Sequence, residues 1–75
     1  LTAPAAEDVF LADHVLQTAW MRLEKKDQAI LALAALEGLK SAEIAVVLGV
    51  STNAVSIRLH RARKNLEVIL KELEG

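Results

Sequence analysis

Ser41-Ala42-Glu43-Ile44-Ala45-Val46-Val47-Leu48-Gly49-Val50-Ser51-Thr52-Asn53-Ala54-Val55-Ser56-Ile57-Arg58-Leu59-His60-Arg61-Ala62-Arg63-Lys64 is the stretch that decides the fold. A short helical segment stops at Gly49, and a longer, basic one restarts after Ser51, which is the layout of a helix-turn-helix. Ser41 is expected to cap the first helix, with Glu43 in its first turn, where a carboxylate meets the positive end of the helix dipole. Ile44, Val47 and Leu48 follow the i, i+3, i+4 spacing and predict one apolar stripe. Ala45 is small where two helices would cross, and Gly49 stands where a left-handed residue ends a helix. Val50 is expected to plug the corner and Ser51 to cap the next helix.

On a helical wheel, Val55, Leu59, Ala62, Leu66, Ile69 and Leu73 fall on one side of the second helix and are expected to pack inward. Asn53, Ser56, Ile57, His60, Arg61 and Lys64 fall opposite, with Arg58 and Arg63 on the flanks. The outward face thus begins small and polar and becomes cationic. Short polar side chains at a helix start can approach base edges, and long cations further along reach phosphates. The same charges also fit a merely solvated helix face.

The formal net charge of -1 divides unevenly. Residues 1–50 hold four cations against seven anions, net -3, and residues 51–75 hold five cations against three anions, net +2. From Ser51 to Leu66 there are four cations and no anion, so a positive field is confined to the proposed reading helix. With so few phosphate partners, binding should fall quickly as salt rises and should need help from a larger assembly.

The 75 residues fit one small domain with a thin core. There is no cysteine, hence no disulfide framework or thiolate metal site, which suits a reducing, cytoplasmic setting. No long apolar run predicts a membrane span, and no basic-then-apolar start predicts a signal peptide. The chain opens on Leu1, and we expect a piece of something longer.

Residues 1–6, with the only proline and three alanines, read as a linker or frayed terminus before a domain over 7–75. A first helix is expected from about Glu7 to Leu23, with Val9, Ala12, Leu16, Ala19, Trp20 and Leu23 at helical spacing and Phe10 and Leu11 widening its apolar surface. Trp20 reads as a core or inter-helix anchor. After the charged break Glu24-Lys25-Lys26-Asp27, with Asp27 a candidate N-cap, a second helix is expected from about Gln28 to Leu36, ending before Gly38. That segment is apolar on all sides, so either both faces are covered within the fold or one is a docking surface for another protein, and the docked face is the expectation favoured.

No catalytic or cofactor chemistry declares itself. His14 and His60 lie on different helices without a ligand partner, His14 at a surface or boundary and His60 on the outward face. Ser41, Ser51 and Ser56 have no base beside them, and no phosphate loop is present. The chain reads as a non-enzymatic, all-α, small four-helix domain with a helix-turn-helix and a long C-terminal recognition helix.

Four stretches carry a resemblance: Leu16-Gln17-Thr18-Ala19-Trp20-Met21-Arg22-Leu23, Glu37-Gly38-Leu39-Lys40-Ser41-Ala42-Glu43-Ile44-Ala45, Leu48-Gly49-Val50-Ser51, and above all Val55-Ser56-Ile57-Arg58-Leu59-His60-Arg61-Ala62-Arg63-Lys64-Asn65-Leu66. Over Leu23 to Leu66 the chain resembles region 4 of bacterial sigma factors, especially the extracytoplasmic-function group. The resemblance implies a four-helix unit whose last helix reads the -35 element of double-stranded promoter DNA. It also implies docking on the β-subunit flap of RNA polymerase core and occlusion by anti-sigma factors. By position, Thr52, Asn53, Ser56 and Ile57 would face bases and Ser51, Arg58 and Arg61 would hold phosphates, with Arg63 and Lys64 as further phosphate partners.

The chain departs from the family pattern at Glu24 and Gln28, where Pro and Arg are usual, and at Ala34, often Arg or an aromatic. Asn53, Ala54 and Ser56 replace the common Gly, Thr and Lys. Two other readings stand beside promoter recognition. One is a protein-interaction module on the same scaffold, bound by an anti-sigma or other regulator, with weak DNA contact. The other is the DNA-binding domain of a quorum-sensing-type response regulator, which usually continues into a separate dimerisation helix, whereas here the reading helix runs on toward Leu73.

Overall fold

In the computed structural model the backbone is described for residues 6–75 and the side chains for residues 14–75. The expectations for residues 1–5, and for the side chains of Val9, Phe10, Leu11 and Ala12, lie outside the described residues. Four α-helices follow one another: α1 (Ala6–Arg22), α2 (Lys25–Leu31), α3 (Ser41–Leu48) and α4 (Thr52–Glu74), with a π-helical turn over Ala32–Leu36 extending α2.

The 23-residue α4 is the hub, packing against α1, α2 and α3 alike. Val55, Leu59 and Ala62 on its inner side are buried, together with Ile30 and Leu31 of α2, Ile44 and Ala45 of α3, and Leu23 after α1. Leu66 and Ile69 are half-buried against this cluster, so the inward stripe loosens toward the C-terminus. Among the described residues, Ile44 and Val55 are the largest side chains sealed from solvent, one on each helix of the helix-turn-helix. Trp20 is half-buried against the same cluster, as an inter-helix anchor.

The corner between α3 and α4 closes as its residues dictate. Gly49 is left-handed (φ 69°), its N–H bonds to the Val46 carbonyl at 3.3 Å, and the Val50 N–H bonds to the Ala45 carbonyl at 3.0 Å. These two bonds satisfy carbonyls that the helix end would otherwise leave open. Val50 is half-buried against the core, plugging the corner, and the Ser51 Oγ accepts the Ala54 N–H at 3.1 Å, capping α4. The axes of α3 and α4 differ by 101°, within the range of a helix-turn-helix.

Several expectations are corrected. Helix two begins three residues early, with Glu24 in the cap position. Asp27 is therefore inside the first turn, buried, and its Oδ2 accepts the Asn65 side-chain amide at 2.9 Å. A carboxylate taken out of water needs such a donor. Ser41 is the first helical residue of α3 rather than its cap. Lys40 holds the cap position, and its backbone N–H donates to the Glu43 carboxylate at 2.9 Å. Val47 is 60% exposed and leaves the stripe it was expected to join; the inward pair is Ile44 and Ala45, and Leu48 sits at the margin. Leu16, expected inside, is 47% exposed.

The end of helix two has its own geometry. The Glu37 N–H bonds to the Ala32 carbonyl and the Leu39 N–H to the Leu33 carbonyl, both at 3.0 Å, around left-handed Gly38 (φ 68°). The second ring is one residue longer than its counterpart at the end of α3, so the last turn is wide.

Candidate nucleic-acid interface

The outer face of α4 is built by the same periodicity that buries its inner face. At about 100° per residue, Asn53, Ile57 and Lys64 fall within about 40° of one another, opposite Val55, Leu59 and Ala62, with Arg61 about 40° further round. Thr52, Ser56 and Arg63 run along one flank, and Arg58 lies on the other, the side that carries Asn65. Ser51, Thr52, Asn53, Ser56, Ile57, Arg58, Arg61, Arg63 and Lys64 are all exposed, and so is His60. The fold therefore gathers eight of the nine residues singled out in the sequence on the solvent side of one helix, with Ser51 at its mouth.

Their side chains differ in how committed they are. The Ser51 hydroxyl is engaged as the cap, and the Ser56 hydroxyl donates to the Thr52 carbonyl at 3.3 Å. The Asn53 amide has no hydrogen-bond partner among the described residues. Arg58, Arg61 and Arg63 form no ion pair among them either, so their charge faces water. Glu67 is the first anion beyond this run. Its carboxyl is held below the ordinary value of 4.5 by a hydrogen bond from Lys71 and that side chain's charge, with a smaller contribution from Lys64. The N-terminus of α4 adds unpaired backbone N–H groups beside Ser51, a ready anion contact.

A second feature had only a partial signal in the sequence. Leu16, Trp20 and Met21 of α1, Leu31 of α2, Ala35 and Leu36 of the π-turn and Leu66 of α4 wall an open apolar groove of about 500 Å³. Met21 and Leu36 are both 78% exposed at its rim. The surplus of apolar residues in helix two pointed to such a face, but the contribution of α1 was not legible. Gln28, which stands where the sigma family usually has Arg, is half-buried and donates its side-chain amide to the Trp20 carbonyl, tying the end of α1 to α2. Among the described residues no cluster of His, Asp or Glu is arranged to hold a metal ion, and no single helix is long and apolar enough to cross a membrane.

A helix braced at about a right angle across a glycine corner, its outer face exposed and cationic, defines a helix-turn-helix domain of the DNA-binding class. Residues 13–66 match the family described as Sigma-70, region 4, and the chain belongs to that family. It is thus a transcription domain of the sigma-factor type, from a DNA-binding family rather than a catalytic one, and the family implies promoter DNA and RNA polymerase as partners. No curated protein matches the sequence significantly.

Proposed function

We propose that this domain reads the -35 element of promoters as the C-terminal part of an extracytoplasmic-function-type sigma factor, working within a polymerase holoenzyme in the cytoplasm. The observation that carries the reading is the state of α4's outer face: Arg58, Arg61 and Arg63 are exposed and form no ion pair among the described residues, on a helix whose first turns also expose Thr52, Asn53, Ser56 and Ile57. Thr52, Asn53, Ser56 and Ile57 face bases, Ser51, Arg58 and Arg61 hold phosphates, and Arg63 and Lys64 extend the phosphate track. The unbroken run of α4 from Thr52 to Glu74 favours this over a response-regulator domain, whose reading helix usually ends before a separate dimerisation helix.

The apolar groove beside the π-turn favours a companion role as a protein-docking face. In this proposal it meets the β flap of the polymerase, and an anti-sigma factor competes for it.

Titration with duplex DNA at several salt concentrations tests the reading. Log affinity should fall linearly with log salt, by about 0.9 per phosphate contacted. Arg61→Ala should weaken binding about equally across sequences and flatten that slope by about 1. An unchanged slope removes Arg61 from the interface, and binding that is salt-independent, or absent even at the lowest salt, rejects DNA reading by this face.

A further inference from the structure

The first six residues of α4 carry no cation at all: between Ser51 and Ile57 the outward residues are hydroxyls, one amide and one branched alkyl group. In a helix docked end-on in the major groove, these turns are the ones that meet base edges. Guanine is most often read there by a bidentate Arg or Lys. Arg58 comes earliest but lies on the flank, and Arg61 and Lys64 lie a turn or more beyond. Of the hydroxyls, Ser51 already accepts one bond as the cap, Ser56 already donates to the Thr52 carbonyl, and Thr52 lies on the flank.

Two groups remain on the outermost line. Asn53 presents an amide with no partner among the described residues, and Ile57, one turn on, is 46% exposed. Residues four apart on a helix are neighbours, about 6 Å along the axis, which is close to two base steps at about 3.4 Å each. A side-chain amide matches the N6 and N7 of adenine in a bidentate pair, and an alkyl group matches the C5 methyl of thymine.

Resting on the promoter-reading proposal, we infer that Asn53 and Ile57 form an A·T-reading pair, with Asn53 on an adenine and Ile57 on a thymine methyl one or two base steps away. The face offers guanine no charged donor at these positions. The specificity of this chain therefore comes from an uncharged pair, and the cations beyond it supply affinity without sequence preference.

The test uses the chain itself at low salt, selecting bound molecules from a pool of random-sequence duplexes. The bound set should share A·T pairs at two positions one or two steps apart. The selected duplex is then rebuilt with uracil for thymine, which deletes the C5 methyl and keeps the pairing, or with 7-deazaadenine for adenine, which deletes N7. Uracil at one position should weaken the native chain about 2- to 5-fold and leave Ile57→Ala unaffected. 7-Deazaadenine at the other should weaken the native chain and leave Asn53→Ala unaffected, and Asn53→Ala should lose about 5- to 100-fold of the preference for adenine there. Both side chains are exposed, and unchanged helical circular dichroism checks that the variants fold. G·C pairs at the selected positions, or base analogues that act equally on native and variant chains, overturn the pair while leaving promoter reading intact. Failure to retain any duplex at low salt overturns promoter reading itself, and the pair with it.

Discussion

Helix α4 and the segment formed by α2 and the π-turn both border the core, yet they solve opposite problems. In α4 polar and apolar residues alternate with the helical period, so burial alone decides which way the helix is turned: Val55, Leu59 and Ala62 go in, Asn53, Ile57 and Arg61 stay out. From Ala29 to Leu36 every residue is apolar, and periodicity cannot choose a face. The choice is made by the neighbours the segment meets instead, and Ala29 at its start is exposed. Ile30 and Leu31 are buried, Leu33 and Ala34 are half-buried, and Ala35 and Leu36 are left outside, where the wide last turn carries them to the groove. An amphipathic helix is oriented by its own sequence, whereas a uniformly apolar one is oriented by its neighbours and leaves surplus apolar surface.

The largest effect expected from this contrast lies at the buried end of the apolar segment. Ile30 is 3% exposed within the shared core. Ile30→Ala should cost about 2–5 kcal/mol by lost transfer energy and the cavity left behind, most of the stability of so small a domain. Urea unfolding followed by circular dichroism measures it, and a loss under about 1 kcal/mol would mean that the core collapses around the gap.

A smaller effect separates two neighbours on α4 that burial alone would treat alike. Lys64 and Asn65 are both exposed, but the Asn65 amide is the donor that satisfies buried Asp27. Asn65→Ala leaves that carboxylate without its partner and should cost about 1–3 kcal/mol. Lys64→Ala should stay within about 0.5 kcal/mol. Denaturation midpoints of the two variants, compared with the native chain, decide it. Equal midpoints would show that water replaces the amide at Asp27 and that the α2–α4 tie contributes nothing net.

The elements most legible in the sequence are those where one residue type has one physical solution. Gly49 and Ser51 mark the helix-turn-helix corner because a left-handed helix end and an N-cap each accept few residues, and α4 was legible through its period. Asp27 was misread because a carboxylate after a charged break looks like a cap. Its actual role depends on Asn65, 38 residues away, and no local pattern encodes that contact. Val47 was misplaced for a related reason. A stripe of three in an eight-residue helix fits more than one rotation, and Ala45, small enough for close packing, drew the helix round to bury itself beside Ile44. For the groove, the apolar surplus of helix two was visible but its second wall on α1 was not, since Leu16 and Met21 follow no pattern that marks them as exposed.

The smallest effect on stability belongs to the outer end of the same apolar segment, and it sharpens the contrast most. Leu36 is as large and apolar as Ile30, yet 78% exposed. Leu36→Ala removes a side chain that water already surrounds and replaces it with a better helix former, so the unfolding free energy should change by no more than about 0.5 kcal/mol. If the groove is a docking face, the same variant should bind polymerase core more weakly while its salt-dependent affinity for duplex DNA stays unchanged, since Leu36 and the outer face of α4 do not overlap. Chemical denaturation and a core-binding titration on one sample give both quantities. A stability loss above about 1.5 kcal/mol would show that the π-turn folds Leu36 onto the domain in solution, and the apolar segment would then obey the same rule of burial as α4.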